Sequence, residues 1–341
     1  MQLQEDTMSR LTVGILGLDR TGASFGLALK RHTHNGGRYS FDIVGYDASS
    51  ANEKSAQKSG AVDRVERSPE AAVRERQIVL LNLPYDEVAS FYRSAAHDLQ
   101  DGVVILDASP QKQPSYAWAS KTLRPDTHVI GVAPLLRAAD LYKASSAADE
   151  AHENLFENAP FLITPSVDSV KEAIDLAYNI AYLIGAKPRF MDPADYDRLI
   201  AQTDQLPRLL GIALYYNLMR SEGWQDLQWL TNPAFALATH ALQYQHPDAL
   251  RDELFANRDL LAAGLDQMIA TLTEVRGLLR RGERPGLEAL LTDTSESYEQ
   301  WWQSRTAVNW EKGQDTPTSD SGGMLGMFLG DALAKRVQGK K

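Results

Sequence analysis

Between residues 11 and 191, short apolar runs alternate with stretches of helical period. The runs at 11–16, 41–46, 61–65, 77–83, 102–107, 127–132, 159–165 and 187–191 predict strands. Run 77–83 is almost wholly apolar, which suits a parallel sheet covered on both faces. Helices are predicted on the buried side formed by Ala23, Phe25, Leu27, Ala28 and Leu29, over 86–99, and over 167–184, the last closed by Gly185. The rhythm predicts an α/β fold, a doubly wound Rossmann-type parallel sheet with ligands at the carboxyl ends of its strands. Those ends fall at Gly17, Asp47, Leu83 to Tyr85, Ser109 to Lys112, and Ala133 to Arg137. The stretch 137–157 is polar and Ala-rich without a period, and reads as a loop or lid.

From Asp192 the strand pattern stops. Helical periods cover 194–220, 233–245, 247–281 and 284–311, which predicts a second, all-helical domain. The domains are therefore 1–191 for dinucleotide binding, 192–312 as an all-helical domain, and 313–341 for a flexible linker and tail. In the tail, Met324, Leu325, Phe328, Leu329, Ala332, Leu333 and Val337 form an apolar stripe. It predicts a helix over 324–338 that docks on its own or a partner subunit; its basic end also suits a membrane surface.

The turn after the first strand carries the clearest chemistry. Gly17 and Gly22 occupy the first and last positions of a G-x-G-x-x-G spacing, with Leu18 between Gly17 and the middle position, which is Asp19. The middle glycine normally lets backbone approach a pyrophosphate. A carboxylate about 5 Å from a phosphate charge, at an effective dielectric near 20, repels it by roughly 3 kcal/mol. Asp47 ends the second strand, where an acid accepts hydrogen bonds from the adenosine ribose and disfavours a 2′-phosphate. Asp47 also suits the N-cap of a helix starting at Ser50. With Leu83 and Pro84 these residues form a cofactor set for NAD, or NADP.

Composition narrows the classes. Lys plus Arg number 35 against 45 Asp plus Glu, a net charge of −10, which disfavours nucleic acid as a partner. There is no cysteine, hence no disulfide and no thiolate chemistry. No His/Asp/Glu cluster has metal-ligand spacing. The polar, acidic N-terminus lacks a signal-peptide pattern and no apolar run is long enough to span a bilayer, so a soluble, cytoplasmic protein is expected.

Taken together, residues 11–311 resemble the prephenate/arogenate dehydrogenase family of tyrosine biosynthesis. The resemblance rests on 13–30, Ile43-Val-Gly-Tyr-Asp47, Ser59-Gly-Ala-Val-Asp63 and Leu106-Asp-Ala-Ser-Pro-Gln-Lys112. It continues through Leu155-Phe-Glu157, Ile163-Thr-Pro165, 183–192, Leu206-Pro207 and Asn257-Arg258-Asp-Leu-Leu261. It implies a nucleotide-binding domain, substrate binding and dimerisation by the helical domain 192–312 in a homodimer, a small anionic substrate, and hydride transfer with loss of carbon dioxide. The family's catalytic histidine opens a His-Pro pair that reads Ala133-Pro134 here. Its supporting serine falls on Pro110, beside Ser109. Its Ser-His-Leu-Pro-His motif reads Asp204-Gln-Leu-Pro-Arg208, and the stretch 235–245 holds no arginine for a substrate carboxylate.

The catalytic candidates left are Asp204, Arg208, Ser109 and Lys112. Arg208 suits a bidentate grip on an anion, or an ion pair with Asp204 one turn earlier. Asp204 suits a base when desolvated, or a solvated helix carboxylate. Lys112 suits ligand contact or a structural role in its turn. His128 starts a strand, away from the site; His240 lies in the helical domain; His152 lies in the 137–157 stretch. Two readings follow: an NAD(P)-dependent dehydrogenase of this type, or a dimeric relative that binds a metabolite or partner without the chemistry.

Overall fold

The computed structural model describes residues 9–143, 145–243 and 247–307. The linker and tail expected over 313–341 lie outside the described residues. Two compact units emerge: residues 9–197 with 247–253, and residues 198–243 with 254–307.

The first unit is built on eight strands: β1 Ser9–Leu16, β2 Tyr39–Tyr46, β3 Arg64–Val65, β4 Ile78–Leu81, β5 Val104–Asp107, β6 His128–Pro134, β7 Pro160–Thr164 and β8 Lys187–Phe190. They lie in the order β3-β2-β1-β4-β5-β6-β7-β8. Every neighbouring pair is parallel except β6 and β7, which run antiparallel. The doubly wound parallel sheet expected from the sequence is present, with one antiparallel pair added between β6 and β7. Strand order reverses direction between β1 and β4, which opens the crevice where such sheets take ligands.

The pleat sorts the side chains. Val13, Ile15, Ile43, Ile78, Leu80 and Leu106 belong to one core, whereas Leu16, Val44, Val79, Leu81 and Ile105 belong to the other. Helices α1 Arg20–His34, α2 Ser50–Lys58, α3 Pro69–Val73, α4 Tyr85–Ala95, α5 Lys112–Thr122 and α6 Lys171–Leu183 divide between the faces. Phe25, Ala28 and Leu29 of α1 join Leu176 and Ile180 of α6 over the first face. Val88, Phe91 and Tyr92 of α4 cover the second.

The stretch read as a loop or lid is packed instead. Ala148, Leu155 and Phe156 are buried in the first core, and Phe156 meets Phe25 edge-to-face at 6.4 Å. Two 3₁₀ turns, Ala138–Asp140 and Ala148–Glu150, carry the backbone along α1. Its few apolar residues have no period because they are anchors in an irregular segment, not one face of an element.

Helix α7 Pro193–Ile200 leads out of the first unit, and the boundary falls at Asp197. The reason is local. Asp197 is buried and caps α5: Oδ1 accepts from Lys112 N at 2.7 Å and Oδ2 from Gln113 N at 2.9 Å. Gln111 Nε2 donates to Glu253 O at 2.8 Å, tying residues 247–253 to the same place.

In the second unit the helical periods break where the backbone demands it. The 194–220 period is interrupted by a π turn at Ala201–Gln205 just before Pro207, which has no N–H to give the preceding turn. Helices α8 Leu206–Met219, α9 Trp224–Leu227 and α10 Pro233–Thr239 follow, then α11 Pro247–Ala256, α12 Arg258–Arg281 and α13 Arg284–Thr306. A Cβ on Gly211 of α8 would stand 2.2 Å from Ala238 O, so glycine permits that close approach. Gln205 and Asn257 are both buried and joined at 2.9 Å.

Lys112 holds together the strand ends that face the crevice. Its ammonium is fully buried and donates to Asp107 O at 3.0 Å, Ser109 O at 2.6 Å and Val132 O at 2.8 Å. It also lies 5.0 Å from the ring centre of Tyr196. Burial pushes its pKa down to about 8, against the opposing pull of Asp107 and Asp197. Replacing Lys112 with Met strands three buried carbonyls, each costing about 1–3 kcal/mol. Lys112→Met should therefore lower the urea-unfolding free energy by about 4 kcal/mol. A loss under about 1 kcal/mol would rule out this bracing role.

Candidate functional site

The candidate site forms where β1 turns into α1. Gly17 has φ +89°, and a Cβ on it would meet Asn82 O at 2.0 Å. A Cβ on Gly22 would meet Gly17 O at 1.9 Å. Both positions therefore require glycine. The middle position does not: Asp19 has φ −62° and ψ −172°, an extended conformation open to any residue.

Asp19 uses that freedom as the N-cap of α1. Its Oδ1 accepts from Thr21 N at 2.9 Å, Gly22 N at 3.0 Å and Asn82 Nδ2 at 2.8 Å. The carboxylate seen in the sequence as a repulsive charge is thus also an internal anion on the helix's own first turn. Burial raises its pKa to about 6, with Asp47 adding to the rise; the three hydrogen bonds oppose it.

The remaining donors of the turn are also occupied. Arg20 N donates to Ser146 O at 2.7 Å, and Ala23 N to Asp19 O at 2.9 Å. Leu18 N donates to Asp47 Oδ2 at 2.6 Å. Asp47 Oδ1 accepts from Ser49 N at 2.7 Å, and Asn52 Nδ2 lies 3.3 Å from both carboxylate oxygens. Asp47 is not the cap of α2; Ser49 is, its hydroxyl accepting from Asn52 N. Asp47 instead joins the end of β2 to the turn after β1. The frame thus fits a dinucleotide: the two glycines make the turn and an acid closes β2. Its phosphate-facing amides are held by groups that a ligand would have to displace.

The other sequence-derived candidates separate. Leu18 and Leu83 bury their side chains in the two cores, whereas Pro84 is exposed at the start of α4. Ser109 is buried; its hydroxyl donates to Gln111 O at 3.2 Å and its N–H to Asp107 Oδ1 at 2.8 Å. Lys112 spends its three protons on carbonyls, as described above. Asp204 and Arg208 form the i, i+4 ion pair in the second unit. His240 lies exposed in that unit, with Nδ1 2.9 Å from Leu237 O. Neither Asp204, Arg208, Ser109 nor Lys112 is presented as a solitary base or cation.

Sequence reasoning missed Asn82, Ser146 and a cluster around Asp140. Asp140 is fully buried and meets Arg20 Nη2 at 2.6 Å, Arg137 Nε at 2.5 Å and Lys143 Nζ at 2.9 Å. His152, which the sequence could not place, has Nε2 3.3 Å from the same carboxylate. These cations hold the Asp140 pKa well below the usual carboxylate range, against the opposing effect of burial. Among the described residues there is no group of His, Asp and Glu that could hold a metal ion.

Comparison with known proteins gives one consistent picture. Residues 25–189 match the family model for the prephenate dehydrogenase nucleotide-binding domain. Prephenate dehydrogenase of Bacillus subtilis is 26% identical over 280 residues, covering 81% of this chain and 72% of its own. Cyclohexadienyl dehydrogenase of Zymomonas mobilis is 24% identical over 268 residues, covering 77% of this chain and 87% of its own. In fold, the chain is similar to A. aeolicus prephenate dehydrogenase solved with hydroxyphenyl propionate and NAD+, at TM-score 0.71 and 20% identity over 86% of this chain and 99% of that one. It is also similar to Synechocystis arogenate dehydrogenase, at TM-score 0.62 and 21% identity over 85% of this chain and 100% of that one.

The raised pKa of Asp19 has a thermodynamic consequence. Its folded value, about 6, exceeds the unfolded 3.8. The folded state then binds more protons between those values, so this group's contribution to stability falls as pH rises from about 4 through 6. Asp19→Asn keeps a capping oxygen and removes the titration. The variant should gain about 2 kcal/mol on wild type between pH 4.5 and 7.5, read by urea unfolding. A stability difference independent of pH would contradict the raised value.

Proposed function

Because the chain belongs to the prephenate and arogenate dehydrogenase family, we propose that it oxidises prephenate or arogenate with NAD and releases carbon dioxide. The observation that carries this reading is the β1–α1 turn at the sheet's switch point, with Gly17, Gly22 and Asp47 in place, within a chain similar to such dehydrogenases. NAD is favoured over NADP because the Asp47 carboxylate at the end of β2 would repel a 2′-phosphate. When bound, the nicotinamide supplies the hydride acceptor.

The chain's own part is binding, orientation and placement of charge. Gly17 and Gly22 keep the turn free of side chains, and Asp47 offers acceptor oxygens to a ribose. Asp19 must release the amides of Thr21 and Gly22 before these can bond a phosphate. At the carboxyl ends of β5 and β6, Pro110 and Ala133 present no titratable group. Turnover then depends on holding the two reactants in reacting geometry, where well-oriented pairs reach high effective molarity. A positioned acid–base group adds on the order of 10²–10⁴ in rate.

Assays of NADH formation at 340 nm with each substrate test the reading. Turnover is expected with prephenate or arogenate, and Ala133→His should raise kcat by about 10²-fold if position 133 faces the ring hydroxyl. Asp19→Asn should tighten NAD binding, and the melting temperature of wild type should rise with millimolar NAD. No rise with NAD, or no NADH from either substrate, would refute the reading.

We also propose a homodimer formed through the second unit. Its support is the apolar surface that this unit leaves open, including Trp229, Leu230, Ile269, Leu272, Leu279 and Leu291, each more than half exposed. Light scattering at micromolar concentration should give twice the chain mass, and Ile269→Glu with Leu272→Glu should halve it. A wild-type monomer would sink this assembly.

A further inference from the structure

The charges around Asp140 do not balance. Arg20, Arg137 and Lys143 are three permanent cations on one carboxylate, before the ring of His152 is considered. Arg20 is almost fully buried, and beyond Asp140 it donates from Nη1 to Lys143 O at 3.1 Å. Its Nε is buried with no acceptor among the described residues. A buried guanidinium nitrogen without an acceptor is costly and marks a place where an anion or water belongs.

The position of the cluster is equally specific. Arg20 is the first residue of α1, and its own N–H meets Ser146 O. The neighbouring amides of Thr21 and Gly22 are those held by Asp19. The excess positive charge therefore begins one residue from the amides that the Asp19 carboxylate withholds. From there the same segment reaches the acid end of β2, where Ala148 N approaches Asn52 Oδ1 at 3.5 Å. Guanidinium groups bind phosphate oxygens in a planar fork, and an ammonium adds a point charge. Lys143 and Arg137 are exposed enough to reach a ligand from the surface, at 53% and 32% of their side chains.

We propose that Arg20, Arg137 and Lys143 form an anion site for the diphosphate of the dinucleotide. The site supplies from side chains what Asp19 takes from the backbone. It rests on the reading of the chain as a dinucleotide enzyme. Arg20 is the fixed, buried member, held by Asp140. Arg137 and Lys143 are the outer members that meet the ligand and give the binding its salt dependence.

The test is calorimetric titration of the full chain with inorganic pyrophosphate and, separately, with NAD. The variants are Lys143→Gln and Arg137→Gln, with Lys143→Arg as the charge-preserving check and Lys171→Gln, on exposed α6 surface, as the control. Each Gln variant should weaken both ligands by about tenfold, Lys143→Arg should restore binding, and added salt should weaken wild type more than the variants. NAD binding that is unchanged in both Gln variants would overturn the proposal and leave the dehydrogenase reading standing. Cluster-dependent pyrophosphate binding without NAD binding would keep the anion site and overturn that reading. Binding of neither ligand by wild type would overturn both. Thermal melts of each variant separate loss of the site from loss of the fold.

Discussion

The first turn of an α-helix leaves N–H groups that must find acceptors, and here that requirement organises the ligand-facing end of the sheet. In a dinucleotide fold a phosphate answers it. In this chain Asp19 answers for Thr21 and Gly22, and Ser146 answers for Arg20. Each answer has a structural consequence. Asp19 is drawn into a buried place where its charge is less favourable, and Asn82 is drawn onto it from the end of β4. Ser146 brings the 145–157 backbone onto α1, where Phe156 completes the core against Phe25. One local need for acceptors therefore connects the turn, the neighbouring strand and a segment more than a hundred residues away.

A second polar centre holds the other strand ends. Asp107, buried at the end of β5, accepts from Tyr92 at 2.7 Å and also from Ser115, and it receives the Ser109 amide. Lys112 fills the space below it and spends its protons on three carbonyls from β5, the following turn and β6. Asp197 then caps α5 from α7. These bonds fix the ends of β5 and β6 and the start of α5 against one another. They hold the backbone at the carboxyl ends of β5 and β6, where Ser109 and Ala133 are buried.

Much of the fold was legible because its determinants are local. Val13, Ile15 and Leu16 announce a strand by their own identity, and Gly17 and Gly22 announce the turn because no side chain fits there. The strand end at Asp47 was legible as a polar stop. What a spacing could not convey was direction: the 160–164 run is equally apolar whether it pairs parallel or antiparallel, and β7 chooses antiparallel against β6. Asp19 was legible as a carboxylate at the middle position of the glycine spacing. Its role as a cap was not, since that depends on whether its side chain turns toward the helix or away from it. Lys112 matched a pattern, yet only burial among three carbonyls separates a brace from a ligand contact.

By itself, then, the amino-acid order determined the α/β frame, the glycine turn, the acid after β2 and the helical second half, because periodicity and backbone permission act within a few residues of the chain. The tertiary structure alone decided which groups answer the amides of α1, and it alone gathered Arg20, Arg137, Lys143 and His152 around Asp140. Arg20 and Asp140 stand 120 residues apart. A charge gains meaning from the charges that folding brings to within a few ångströms, and Coulomb energy depends on that distance and not on position along the chain.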